Sequence, residues 1–224
     1  MQAFIFVIFV TFIPAVVHVD REVSEYRRDR EYQAVQRQMD AYYAWDEVRY
    51  FPEGELGGPE AHSASYFLAA MDEPVLKTLD TSSGGAAVRL TVVASFGPVF
   101  AFRVQASGDS AEAVRKIGWT RYGDWGPVDE TDVRQVPIDR SALDRVLETA
   151  RHVGPCTYRR QNLYFDGAYW VLEVAQGDQY CATMEQSPSS VPWTDVVREL
   201  RGVLPEEQAE TEPVFEFWSL ARPE

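Results

Sequence analysis

The sequence predicts an α+β fold, a mainly antiparallel sheet with helices packed on one face, preceded by an N-terminal hydrophobic segment and a long helix. Three observations carry the prediction. From Val88 onward, short runs rich in Val, Phe and Thr recur between Gly- and Pro-containing breaks, the pattern of strands and turns. Within them, Leu143, Val146, Leu147 and Ala150 fall on one face of a helix that runs to His152. Ahead of both, Ala3 to Val19 holds no formally charged side chain and is strongly apolar. Strands segregated from helices in this way favour a sheet covered on one face.

The apolar run comes first in the chain. At ~1.5 Å per residue it reaches ~25 Å as a helix, slightly under the ~30 Å of a bilayer core. Residues 1–19 are therefore expected to be a signal peptide or a membrane anchor, with a buried strand as the alternative reading. No Lys or Arg precedes the run, and no small-x-small cleavage site follows it. Arg21, Arg27, Arg28 and Arg30 come directly after it, and the positive-inside rule would place the remainder in the cytoplasm. Export and that rule are in conflict here.

Asp20 to Val48 lacks Gly and Pro, and Val35, Met39 and Tyr42 recur at helical spacing, which predicts a helix. Residues 20–60 then form a helical stalk and loop, because Pro52, Gly54, Gly57, Gly58 and Pro59 break the chain. The α+β domain is placed at 61–205. It begins with a short helix near Ser63 to Met71 and a turn at Thr81 to Gly85. Val88 to Phe96 and Val99 to Gln105, split by Gly97 and Pro98, predict a hairpin. Val114 to Tyr122 and Asp132 to Ile138 predict two further strands around the aromatic loop Tyr122 to Pro127. Asp139 or Ser141 caps the helix that follows, Asp144 stands at the capping-box position after Ser141, and Gly154 ends it. Cys156 to Phe165, Ala168 to Ala175 and Gln179 to Met184 predict a three-stranded meander with turns at Asp166-Gly167 and at Gln176 to Asp178. A helix over about Trp193 to Leu204 follows, then an acidic linker and terminal strand at 206–224.

The segment Asp166-Gly167-x-x-Trp170-x-Leu172-Glu173, followed by Tyr180 and then Ser187-Pro188 before a terminal helix, resembles a group of uncharacterised small bacterial proteins. The resemblance covers at most Val133 to Leu204 and implies a bacterial origin and a helix-and-hairpin fold, without an activity. This chain differs in having Cys181 after the Tyr and Glu185-Gln186 before the Ser-Pro. The residues have their own physical reading: Trp170 and Leu172 share one strand face that packs on helices, while Glu173 points the other way, either within a structural hairpin or toward a ligand.

Length and composition bound the function. A chain of 224 residues with 46% hydrophobic side chains makes one core plus terminal appendages the expectation. A net charge of -14 disfavours nucleic acid, whose binding rests on Lys and Arg neutralising phosphate. The two cysteines, Cys156 and Cys181, permit one disulfide in an oxidising compartment, or two buried thiols. The histidines, His18, His62 and His152, stand in no zinc-ligand spacing, and no Walker or dinucleotide loop is present. No metal and no cofactor are therefore expected.

Two sets of residues remain as site candidates. His62 with Ser63 follows a Gly-rich loop and could serve nucleophilic chemistry, the alternative being Ser63 as a helix cap. Trp119, Tyr122, Asp124, Trp125, Asp129 and Glu130 form an acidic, aromatic loop, suited to binding a protein or a sugar-bearing envelope component, or simply packed at a sheet edge. The resulting expectation is a bacterial cell-envelope protein, membrane-anchored or periplasmic, acting as a non-enzymatic interaction module. The alternative is a hydrolase of an envelope polymer.

Overall fold

The computed structural model describes residues 59–79, 84–94, 97–108, 110–120, 128–153, 167–188 and 190–203, with positions 30, 33, 37, 50, 51 and 56. The chain divides into two units, Met1–Ala44 and Trp45–Glu224. In the first, Arg30, Gln33 and Arg37 are helical and exposed; the apolar run at 1–19 lies outside the described residues. Among the described residues no helix is long and apolar enough to cross a membrane.

Among the described residues the second unit is mixed α and β, with six antiparallel strands and three α-helices. In chain order these are α1 (Pro59–Ala70), a single 3-10 turn (Leu76–Thr78), β1 (Ala86–Ala94), β2 (Val99–Ser107), β3 (Ser110–Thr120) and β4 (Val128–Ile138). There follow α2 (Arg140–Arg151), β5 (Ala168–Gln176), β6 (Gln179–Gln186) and α3 (Val191–Gly202). The sheet order is β4-β3-β2-β1-β5-β6. The first four strands form a meander running outward from β1, and α2 then leads to a second hairpin, β5–β6, placed on the other side of β1. Gly177, at φ +58°, permits the tight turn that sets Gln176 opposite Gln179.

The expected three-stranded meander does not form. Along its length β5 pairs with β1 on one edge and with β6 on the other. A strand has only two edges, so none remains for Cys156 to Phe165, whose own positions lie outside the described residues. Gly167 sits at φ +149°, away from the φ near +57° expected of left-handed turn residues. A second reason fixes its identity: a Cβ there would lie 2.7 Å from Ser187 Oγ.

Helices cover both faces of the sheet, which corrects the expectation of one. On one face, Leu143, Val146, Leu147 and Ala150 of α2 and Trp193, Val196, Val197 and Leu200 of α3 pack on the even-numbered side chains of β1 and β2 and on Trp170 and Leu172 of β5. Trp170 meets Trp193 edge to face at 6.3 Å, an arrangement that contributes about 0.5–1.5 kcal/mol beyond area burial. The Trp193 indole N–H donates to Glu185 Oε2 at 2.7 Å. On the other face, Ala61, Ala64, Phe67, Leu68 and Met71 of α1, together with Tyr50, Phe51 and Leu56, pack on Val93, Val99, Ala101, Val171, Ala182 and Met184. These three upstream residues belong to the core although they precede residue 61. The first eight residues of β1 are all buried, as a strand covered on both faces requires.

At the start of α2, Asp139 holds the cap position with extended backbone and makes no side-chain cap hydrogen bond. Ser141 lies inside the helix, so no capping box forms there. Asp144 instead meets Arg140 Nε at 3.4 Å one turn away.

Candidate functional site

A layer of charge is buried between α1 and the sheet, and it is built from the strand register. On the face under α1, Arg89 of β1 lies directly opposite Arg103 of β2 and, on its other side, opposite Glu173 of β5. Lys116 stands on the same face of β3, opposite Ala101. Two arginines side by side repel. Their counter-charge arrives from the end of α1, where Asp72 adopts φ +53°, a left-handed conformation that Asp tolerates better than most residues. The Glu73 N–H donates to Leu68 O at 2.9 Å and the Asp72 N–H to Ala69 O at 3.0 Å, which is a Schellman ending. That turn aims Glu73 into the layer.

Glu73 Oε2 is 3.3 Å from Arg89 Nη1 and 3.1 Å from Arg103 Nε, and Oε1 meets Lys116 Nζ at 3.2 Å. Lys116 Nζ also donates to Met71 O at 2.8 Å and Asp72 O at 2.7 Å, a cation on the last carbonyls of α1 where the helix dipole favours one. Glu173 accepts two hydrogen bonds from Arg89, Nε to Oε2 at 2.6 Å and Nη2 to Oε1 at 2.8 Å. Tyr180 donates to the same Oε1 at 2.8 Å. Arg89 further donates to Pro74 O at 2.7 Å and lies 5.4 Å from the centre of the Tyr50 ring, whose hydroxyl donates to Glu73 O at 2.7 Å.

Arg89 and Glu173 are each 0% exposed. Burial works against the Arg89 cation, but the charge and hydrogen bond of Glu173, followed by Glu73, outweigh it and hold the guanidinium above its ordinary value. Three cations and two carboxylates leave the five residues at 3 − 2 = +1. Among the described residues, Arg103 Nη1 and, its ion pair with Lys116 apart, Glu73 Oε1 have no hydrogen-bond partner, nor do Thr91 Oγ1 and Ser65 Oγ on the same side of the sheet. Closed to solvent and paired with Arg89, Arg103 and Lys116, Glu73 and Glu173 are placed to hold α1 and the turn after it onto the sheet. The geometry gives them a structural role. Glu173 therefore faces Arg89 and Tyr180, within the hairpin.

A groove of about 590 Å³ opens beside this layer, lined by Gln105, Ser110, Ala111, Glu112, Gln135 and Pro137. Glu112 stands between the two amides, accepting from Gln105 Nε2 and from Gln135 Nε2.

The other face of β3 carries the sequence-predicted aromatic. Trp119 is 46% exposed and pairs with Glu130 of β4, with a register shift immediately after it, between Trp119 and Thr120. Asp129 lies next in β4. Tyr122, Asp124 and Trp125 lie outside the described residues. On the same face of β3, one turn of side-chain alternation beyond Ile117, Arg115 is bound to Asp132. Burial, then the nearby Arg134, lowers the Arg115 pKa against the opposing pull of Asp132.

His62 and Ser63 are both half-buried on α1. They occupy successive helical positions, which do not face one another. Cys181 is disulfide-bonded, and the chain's only other cysteine is Cys156, which lies outside the described residues. Among the described residues no group of three His, Cys, Asp or Glu side chains is placed to hold a metal ion. The charge layer went unread in the sequence, although it left a signal: Arg89 and Arg103 are the charged residues of two largely apolar strands.

Comparison with family models, with curated proteins and with solved structures finds no match.

Proposed function

We propose that the chain is a bacterial cell-envelope protein whose sheet acts as a non-enzymatic interaction module, binding another protein or an envelope component through the β3–β4 surface around Trp119. The observation that carries this reading is the 46% exposure of Trp119 beside the acidic Asp129-Glu130 stretch of β4. An indole presents a large rigid apolar face with one polar edge, and such residues dominate binding energy when a partner desolvates them. The buried carboxylates Glu73 and Glu173 are engaged with cations within the fold, which leaves the exposed β3–β4 surface as the better-placed candidate.

The envelope address rests on two supports. The apolar run from Ala3 to Val19 is suited to targeting or anchoring, and a disulfide-bonded Cys181 suits an oxidising compartment. The resemblance of Asp166 to Glu173 to small bacterial proteins agrees with a bacterial source. A net charge of -14 argues against a nucleic-acid partner.

The test is affinity capture from envelope extracts with the full chain and with Trp119→Ala, Trp125→Ala and Asp129→Ala variants, each first shown to be folded. Loss of the same captured component in the Trp119 variant is the expected result. Unchanged recovery in all three removes this surface from the function.

A further inference from the structure

We infer that the outer edge of β4 pairs with β4 of a second copy of this chain, in an antiparallel register centred on Val133. β4 is an edge strand of 11 residues, and among the described residues nothing pairs with its outer side. Val133, Arg134 and Gln135 are consecutively exposed, Val133 at 53%. An exposed edge of this length is a template for another strand.

Charge complementarity selects the occupant. In a twofold pairing about Val133, each residue faces the one whose number sums with its own to twice 133. Val133 then meets Val133, and Asp132 of each copy meets Arg134 of the other, twice over. Within one chain Arg134 Nε already stands 3.7 Å from Asp132 Oδ2, which also binds Arg115. Both side chains stay part-exposed, Asp132 at 43% and Arg134 at 48%, and both lie on the face that carries Arg115, so a second copy would join its own pair to this one across the edge. Centring the axis on Asp132 would set Asp132 against Asp132, and centring it on Arg134 would set two arginines together, which is unfavourable for directly opposed like charges. Only the Val133 register joins unlike charges and an apolar pair.

The rest of the fold leaves room for it. α2 packs over β1, β2, β3 and β5 and α1 over β1, β2, β5 and β6; β4 meets these layers through Val128, Val136 and Ile138 and leaves Val133, Arg134 and Gln135 exposed between them. Pro137 lies near the end of β4; proline is tolerated in an edge strand where its missing donor faces outward, and here it limits the central ladder to the residues around Val133. The contact is isologous and closes on itself, giving a dimer with one continuous sheet and no filament. Opposing it is the repulsion of two chains of formal charge -14 each. The dimer is therefore favoured by moderate salt, which screens that long-range repulsion more than the close pairs.

The experiment measures association of the full chain in mild detergent by sedimentation velocity over a concentration series, with site-specific cross-linking. Arg134→Asp is the informative variant, because it sets Asp against Asp132 at both ends of the contact. Within one chain the same change also loses the exposed Arg134–Asp132 pair at 3.7 Å, a contact of a kind that contributes little to stability, and the variant is first shown to melt as the native chain does. Dimerisation weakened at least ~10-fold by Arg134→Asp, with cross-linking of Val133→Cys to itself, is the expected result. Gln135→Cys faces Thr131 in this register, and two such residues lie roughly 14 Å apart, so it should stay uncross-linked. A chain that is monomeric at every concentration overturns the inference, and so does a dimer indifferent to Arg134→Asp or one that cross-links through position 135.

Discussion

Arg89 and Glu173 face each other across β1 and β5 through two parallel hydrogen bonds of 2.6 and 2.8 Å, both side chains sealed from water. This pair is the centre of the layer that fastens α1 and the turn after it to the sheet, and its burial sets what happens when either member is removed.

Removing one partner leaves an uncompensated buried charge. Glu173→Ala should destabilise the protein by about 3–5 kcal/mol, whereas Arg89→Met with Glu173→Leu should recover much of that loss, since an apolar pair of similar volume needs no counter-charge. Urea denaturation of the single and double variants measures both. An equal loss in the two would mean that the charge pair contributes more than its own neutralisation.

Gly167 is held by geometry on two counts, a φ of +149° and the closeness of Ser187 Oγ, which would stand 2.7 Å from any Cβ at this position. Gly167→Ala should cost about 1–3 kcal/mol. Adding Ser187→Ala should relieve the contact and leave the backbone strain, so the double variant should fall between the single variant and the native protein in thermal melts.

Burial raises the Tyr66 pKa above its ordinary value of 10.0. The neutral phenol is thus favoured in the folded state relative to the unfolded chain. Its contribution is fully present below pH 10 and is lost as pH rises through the folded value. Denaturation midpoints should decline above pH 10, and Tyr66→Phe should flatten that decline. Arg89 shifts upward in the same sense, but from a value already beyond this range, so it adds no pH dependence at neutral pH.

The disulfide at Cys181 should survive in native protein isolated without reductant. Intact mass before and after reductant should differ by two hydrogens, and replacing both cysteines by serine should cost roughly 3 kcal/mol. Unchanged mass would mean free thiols in the native protein.

Much of the architecture was legible where a local pattern decides the structure. The stripe Leu143, Val146, Leu147 and Ala150 specified α2, and Gly177 with Asp178 specified the β5–β6 turn. What escaped was non-local. Turn residues at Asp166-Gly167 suggested that β5 pairs with the strand just before it, yet its partner is β1, some eighty residues earlier in the chain, as the Arg89 to Glu173 separation of 84 shows. The second covered face was also visible in principle: Ala86 to Val93 is apolar at both alternations apart from Arg89 and Thr91, as a doubly buried strand should be. A charged residue at such a position is expensive to bury alone, so Arg89 implied a buried acid whose identity only the register reveals. Trp119 was legible as a surface aromatic because it precedes a polar, Gly- and Pro-rich connection, whereas its exposure depended on how far α2 and α3 extend over β3.

The most direct test of the interaction reading is photo-cross-linking from position 119 in intact cells, using a photoreactive aromatic in place of Trp119, with a matched probe at His152 on the far end of α2. The account predicts a discrete cross-linked envelope component from position 119 and none from position 152. Identical patterns from both positions, or no adduct from position 119, would contradict it.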